Sequence, residues 1–231
     1  MTRLRVILLL LSAVQAPVGA DVSAQLETAP YREAAKQGIP VYRVDAQLSR
    51  ADILVFRGGK LARFGHDHLV STTDIDGLVL VADPLSNSRA DLVVPLDSLL
   101  VDPDDRRTDY GFEEKISASV KTKTRRNMLE KVLQAGDWPN VKITARISGS
   151  NPRLTLLEIS FSLHGITRTF DSPAVIEISN DRLRLAGSFT LLQTDYGINP
   201  YSVLAGGLRV RDSLEVHFEI IANRYWFSAQ E

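Results

Sequence analysis

The sequence predicts an all-β fold, an eight-stranded antiparallel barrel with one inserted α-helix. Two observations predict it: apolar residues recur at every second position over long runs in both halves of the chain, and turn-forming residues separate those runs. A third favours a barrel over the sandwich that the same pattern allows. The runs are long and hairpin-linked, which suits a sheet closed on itself. Closure at about eight strands leaves an interior that side chains fill or that holds one small ligand. The inward set is Leu, Ile, Val and Phe, so any guest should be apolar.

Residues 1–20 read as a secretory signal peptide: Arg3 and Arg5 precede an apolar run from Val6 to Val14, and Val18-Gly19-Ala20 offers a cleavage site. The run is shorter than the roughly 20 apolar residues of a membrane span. The chain is expected to be exported to a periplasm or the medium, and after cleavage not to be an integral membrane protein. With no cysteine it has neither a disulfide nor a cysteine-linked lipid anchor. Loss of Arg3 and Arg5 takes the formal charge from −1 to −3, which does not attract nucleic acid. Residues 21–39 show no sustained period and form an N-terminal leader or a short helix before the domain, with little function expected there. The β-barrel domain spans 40–222, and 223–231 is a C-terminal tail.

The strands follow in order. From Val41 the alternation runs through Ile53 and Val55, then Ile75, Gly77, Val79 and Val81, then Leu92, Val94 and Leu96. It resumes with Val141, Ile143, Ala145 and Ile147, then Leu157, Ile159, Phe161 and Leu163. Leu183, Leu185, Gly187, Phe189 and Leu191 follow, and Leu214, Val216, Phe218 and Ile220 come last. Asp83-Pro84, Gly149-Ser150-Asn151-Pro152, Ser179-Asn180-Asp181 and Gly206-Gly207 supply the turns. Between the two groups, residues from about Thr122 to Gln134 place Met128, Leu129, Val132 and Leu133 at helical spacing, and Gly136 is a natural stop.

Several segments, in this order, resemble the YceI-like family of secreted proteins. Tyr42-Arg43-Val44-Asp45 with Ser49 looks like its opening strand, and Phe64-Gly65-His66 like its aromatic-to-histidine segment before the glycine-bearing strand at Gly77. Trp138-Pro139-Asn140-Val141-Lys142-Ile143 is similar to the strand after the family's helix. Phe161-Ser162-Leu163-His164-Gly165-Ile166-Thr167-Arg168 resembles its most recognisable motif, and Asp195-Tyr196-Gly197-Ile198 its glycine turn before the last strand. The resemblance covers about residues 40–222 and implies a lipocalin-like barrel associated with binding polyisoprenoid lipids. Two positions depart from the family's pattern. Leu48 stands where a histidine is usual, and Arg125-Arg126-Asn127-Met128 lacks the Arg-Asp-x-His of its helix.

His66 and His68 are two of only four histidines. In an extended segment, side chains at i and i+2 share a face about 7 Å apart at Cα. The pair could hold half a metal site, contact a ligand's polar end, or hydrogen-bond at a strand end. Two ligands do not complete a zinc site, and His164 is the third candidate if its turn lies at the same barrel end. Beside Gly165, His164 otherwise fixes a hairpin by bonding backbone carbonyls. His217, alternating with Glu215 and Glu219, belongs to a solvated face. Asp102-Pro103-Asp104-Asp105 and Glu113-Glu114 lack the spacing of a calcium loop and read as solvated loops. Lys60, Arg63, Arg106, Arg107, Arg125 and Arg126 either meet at one barrel mouth to bind a phosphate or stand as separate solvated charges. No nucleophile elbow, zinc-protease helix or phosphate-binding loop is present, so no catalytic residue is assigned.

The expected function is that of an exported, non-enzymatic binding protein whose barrel receives the chain of an amphiphilic lipid, a polyisoprenoid by the resemblance. The expected ligand-binding residues are Phe64, His66, His68, His164, Arg125 and Arg126. No resident cofactor is expected. The alternative is a periplasmic metal-binding or stress-response protein using His66 and His68. Burying about ten CH₂ groups at about 0.8 kcal/mol each gives roughly 8 kcal/mol. Association costs of several kcal/mol oppose it, so affinity needs a long tail or a head-group clamp.

Overall fold

The computed structural model describes residues 26–228 apart from 152, 153 and 180. The expected signal peptide and the start of the leader lie outside the described residues. The chain order is α1 (Ala29–Lys36), β1 (Val41–Val44), β2 (Arg50–Gly58), β3 (His68–Thr72), β4 (Asp76–Leu80), β5 (Arg89–Pro95) and β6 (Leu100–Val101). After α2 (Ala118–Asn127) come β7 (Asn140–Asn151), β8 (Leu154–Leu163), β9 (Ile166–Ile178), β10 (Arg182–Leu192), β11 (Ser202–Val203) and β12 (Leu208–Arg224).

The sheet runs β1-β4-β5-β7-β8-β9-β10-β12, and β12 pairs back with β1 to close it. β2, β3 and β6 continue β1, β4 and β5 beyond short interruptions, with β2 returning to the same edge of β12 that β1 uses. The result is the closed eight-stranded antiparallel barrel that the alternation predicts. Its inward faces carry the expected residues, such as Leu157, Ile159 and Phe161 on β8 and Leu185 and Leu191 on β10.

Hydroxyls knit the interruptions. Ser49 Oγ accepts from the Ile221 N–H at 2.9 Å and donates to the Ile221 carbonyl at 3.1 Å, standing in for a strand neighbour's backbone between β1 and β2. Thr72 Oγ1 accepts from the Asp74 N–H at 3.0 Å and lies 2.8 Å from Ser98 Oγ, spanning the other two breaks.

β9 carries no period-two signal in the sequence, because its buried positions include Ser172 and Ala174 and its middle holds Pro173. The β9–β10 ladder runs from Ile178 only to Ala174 and ends beside this proline, which has no N–H to donate. Buried Tyr196 and Ile198, from the segment before β11, join the core near this opening.

The helix also differs from expectation. α2 begins at Ala118 because Ser117 Oγ caps the Val120 N–H. A π-helical turn, Met128–Val132, then follows, with the Leu133 N–H bonded to the Met128 carbonyl at 2.8 Å. The stop is Gln134 (φ 48°) rather than Gly136, and its carbonyl receives the N–H groups of Asp137 and Trp138.

Two outer layers complete the fold. α1 buries Tyr31 and Ala34 against Val41 and Leu78, with Tyr225 and Phe227 packed beside them, so leader and tail share one small core. Residues from Asp102 onward cover the outer face of β2 and β3, where Asp52, Leu54, Leu69 and Ser71 are buried. This corrects two expectations. Asp102 is fully buried rather than part of a solvated loop, and His217 packs its ring 5.4 Å from that of Tyr110 rather than facing water.

Candidate ligand cavity and its mouth

The barrel encloses a cavity of about 420 Å³, within the size range of small-molecule sites. Its wall is formed by inward residues of every stave except β9, including Val94, Ile143, Leu185, Phe189 and Phe218. Antiparallel connectivity puts one set of connections at one end: the β2–β3 loop, the segment carrying α2, the β8–β9 turn and the β10–β12 connection. Apart from Thr72 at mid-barrel, the polar lining residues gather there. Arg57, His66, His68, Thr124, Asn127, Tyr201 and Arg209 reach the cavity beside Phe64 and Val203.

His66 and His68 both line this mouth, with ring centroids 6.2 Å apart. Each has its own carboxylate. His66 Nε2 lies 3.2 Å from Glu114, and His68 Nδ1 lies 2.6 Å from Asp102. Asp102 also accepts the Leu69 N–H at 2.9 Å and the guanidinium of buried Arg107, which donates to the Asp67 carbonyl as well. Burial raises the Asp102 pKa, but the bonds from His68 and Leu69 and the charge of Arg107 outweigh it and hold the carboxyl below its ordinary range. Asp102 thereby fixes the His68 ring at the mouth. Among the described residues no group of three or more His, Asp or Glu side chains is placed to hold a metal ion.

The other predicted residues are dispersed. Phe64 is 63% exposed at the tip of the β2–β3 loop, with the Arg63 guanidinium 4.7 Å from its ring centre. His164 occupies the mouth-end turn between β8 and β9, where His164 and Gly165 both have positive φ, the geometry of a two-residue hairpin. Its ring bridges Tyr196 O at 3.2 Å and Gln134 Oε1 at 2.9 Å, tying the end of the helical segment to the rim. Arg125 donates from Nε to Leu99 O at 2.7 Å and from Nη2 to Asp97 O, closing the break between β5 and β6. Arg126 is exposed on α2.

The six basic residues therefore do not form one cluster. Arg107 is buried on Asp102, and Arg106 donates to Asp52 at 2.5 Å beneath the cover segment. Asp52 also accepts the Tyr110 hydroxyl, whose pKa burial and that carboxylate push up to about 12.

The barrel and its hollow admit comparison with known proteins. The family model of the YceI-like domain matches residues 42–222. The chain belongs to the YceI-like family.

The YceI-like barrel is also seen in solved structures. BcnA of Burkholderia cenocepacia has 10% sequence identity and a TM-score of 0.56, covering 77% of this chain and 98% of its own. A polyisoprenoid-binding domain from Saccharophagus degradans, implicated in plant cell wall breakdown, has 12% identity and a TM-score of 0.53 over 80% of this chain and 98% of its own. At such identities the likeness concerns the fold. No curated protein sequence matches the chain. Among the described residues no helix is long and apolar enough to cross a membrane.

Several mouth residues of this YceI-like chain escape sequence reasoning. Thr124 and Asn127 face the cavity, whereas their neighbours Arg125 and Arg126 do not line it. Helical spacing could have found them, since Thr124 stands four residues before Met128 and Asn127 three after Thr124. Arg57 and Arg209 sit at strand ends, where alternation is weakest, and nothing local distinguishes them from solvated arginines.

Proposed function

We propose that this YceI-like protein is an exported, non-enzymatic carrier or store that holds the hydrocarbon chain of an amphiphilic lipid, of polyisoprenoid type, inside its barrel. The observation that carries the reading is the apolar cavity of about 420 Å³ whose polar lining residues, Thr72 apart, lie at one mouth. An amphiphile matches that polarity end for end. The tail gains about 0.8 kcal/mol per buried CH₂, and the head stays near His66, His68, Asn127, Arg57 and Arg209. The polyisoprenoid-binding domain of similar fold supports the choice of chain. Export rests on the Arg3/Arg5-led signal pattern, and the non-enzymatic role on the family and the lack of a catalytic constellation in the sequence.

The test is organic extraction of the protein purified from the exported fraction, followed by mass spectrometry and titration of the stripped protein with prenols of increasing length. A co-purified prenyl lipid and affinity rising with prenol length are expected. Lipid-free protein that binds no prenol of any length would refute the reading.

A further inference from the structure

The cavity mouth is crowned by two loop tips whose apolar side chains face water. Phe64 is 63% exposed and Leu204 is 67% exposed, with Val203 beside it at 38%. The tips belong to one rigid unit. The Leu61 N–H donates to Gly207 O at 2.8 Å, a Cβ on Gly59 would lie 2.5 Å from the same carbonyl oxygen, and one on Gly65 would lie 2.7 Å from Leu208 Cδ1. At Gly59 any side chain would strike the Gly207 backbone.

Leu204 and Ala205 hold the left-handed region with φ of 54° and 51°, and the Gly206 N–H closes their turn on Val203 O at 3.1 Å. A leucine adopts this backbone at a cost, and here it does so while directing its side chain into solvent rather than into the core. Exposed Lys60, Arg63, Arg209 and Arg211 surround the tips. Of the nearby acids, Asp67 is ion-paired with Arg57 and Glu114 lies 3.2 Å from His66, while among the described residues the Asp212 carboxylate accepts only from Thr194 and Glu113 is exposed. The apolar tips run directly into the cavity, since Phe64, Val203 and Leu208 also line it.

We propose that this rim is a membrane-docking surface: Phe64, Val203 and Leu204 enter the interfacial layer of an anionic bilayer while Lys60, Arg63, Arg209 and Arg211 engage its head groups, bringing the cavity mouth onto the lipid surface. Apolar insertion combined with basic attraction is the balance by which proteins lie on anionic membranes without spanning them. The proposal rests on the lipid-holding reading for its purpose, because a lipid that enters through a docked mouth need not cross water. The docking itself can be measured separately.

Full-length processed protein is floated with vesicles of phosphatidylcholine containing one quarter phosphatidylglycerol, and with phosphatidylcholine alone, at low and high salt. Binding to the anionic vesicles is expected, weakened by salt. Phe64→Ser with Leu204→Ser should reduce it by about tenfold or more, given the apolar area withdrawn. Lys60→Glu with Arg63→Glu should abolish the preference for anionic vesicles.

Both tip variants alter exposed side chains, so unchanged thermal melting shows that they fold, and prenol binding in solution is read in parallel. Equal flotation of wild type and Phe64→Ser/Leu204→Ser would overturn the proposal. So would no flotation of the wild type, or self-association through the tips in sedimentation with vesicles ignored. Loss of vesicle binding with prenol binding intact in the wild type would overturn docking alone. Vesicle binding without prenol binding would overturn the lipid-holding reading alone.

Discussion

Asp102 holds a left-handed backbone (φ 54°) with its carboxylate fully enclosed by His68, Leu69 and Arg107. Its acidity gives it a pH signature. The folded pKa lies below the unfolded aspartate value near 3.8, so the stabilisation is fully present above that value and is lost as pH falls through the depressed one. Asp91 adds to the same acid limb: burial raises its pKa, but bonds from Arg89, Thr144 and Tyr31 lower it further than burial lifts it. Replacing Asp102 with Asn should cost about 3–5 kcal/mol at neutral pH by leaving the Arg107 charge buried without its partner. Urea unfolding should then show a shallower loss of stability below pH 4 than in the wild type. The combined change Asp102→Asn, Arg107→Met should recover part of the neutral-pH loss, and no recovery would mean that Asp102 acts through His68 instead.

Among the elements, the turn after β8 was legible, and α1 only as one of two alternatives, a leader or a short helix. His164-Gly165 after the alternating run of β8 marks a turn, and the structure adds that this turn bonds Tyr196 and Gln134 and packs under Trp138. Gly165→Ala should strain a backbone at φ 73° and bring its Cβ to 2.6 Å from the Trp138 ring. A loss of about 1–2 kcal/mol follows from the backbone strain, or roughly 2–4 °C of melting temperature per kcal/mol. Calorimetry showing no change would mean that the indole swings away freely. The choice stayed open because the buried face of α1 consists mainly of Tyr31 and Ala34, too short a pattern to reveal periodicity, and its anchor is the Tyr31 hydroxyl, which donates to Asp91 at 2.7 Å, distant in sequence. β9 escaped because serine, alanine and proline occupy its middle.

For the molecule as a whole, the cavity should be separable from the fold. Ala145 lines the hollow opposite Ala90 on the neighbouring strand. Ala145→Phe grows into empty volume, so the overpacking loss of about 1–3 kcal/mol seen in filled cores is not expected. Prenol binding should fall at least about tenfold, each decade being 1.4 kcal/mol. Unchanged binding in a folded variant would place the lipid elsewhere. Alternation along the chain by itself determined an all-β fold, most of its inward rows and the apolar character of the interior, because which face of a strand a side chain takes is a local property of period two. Only the tertiary structure decided that the rows leave a hollow, that Asp52, Asp102, Arg106 and Arg107 lie beneath a covering segment, and that Thr124 and Asn127 rather than Arg125 face the mouth. Those outcomes depend on how far apart opposing strands stand and on which distant segment crosses over them, and no local pattern encodes either.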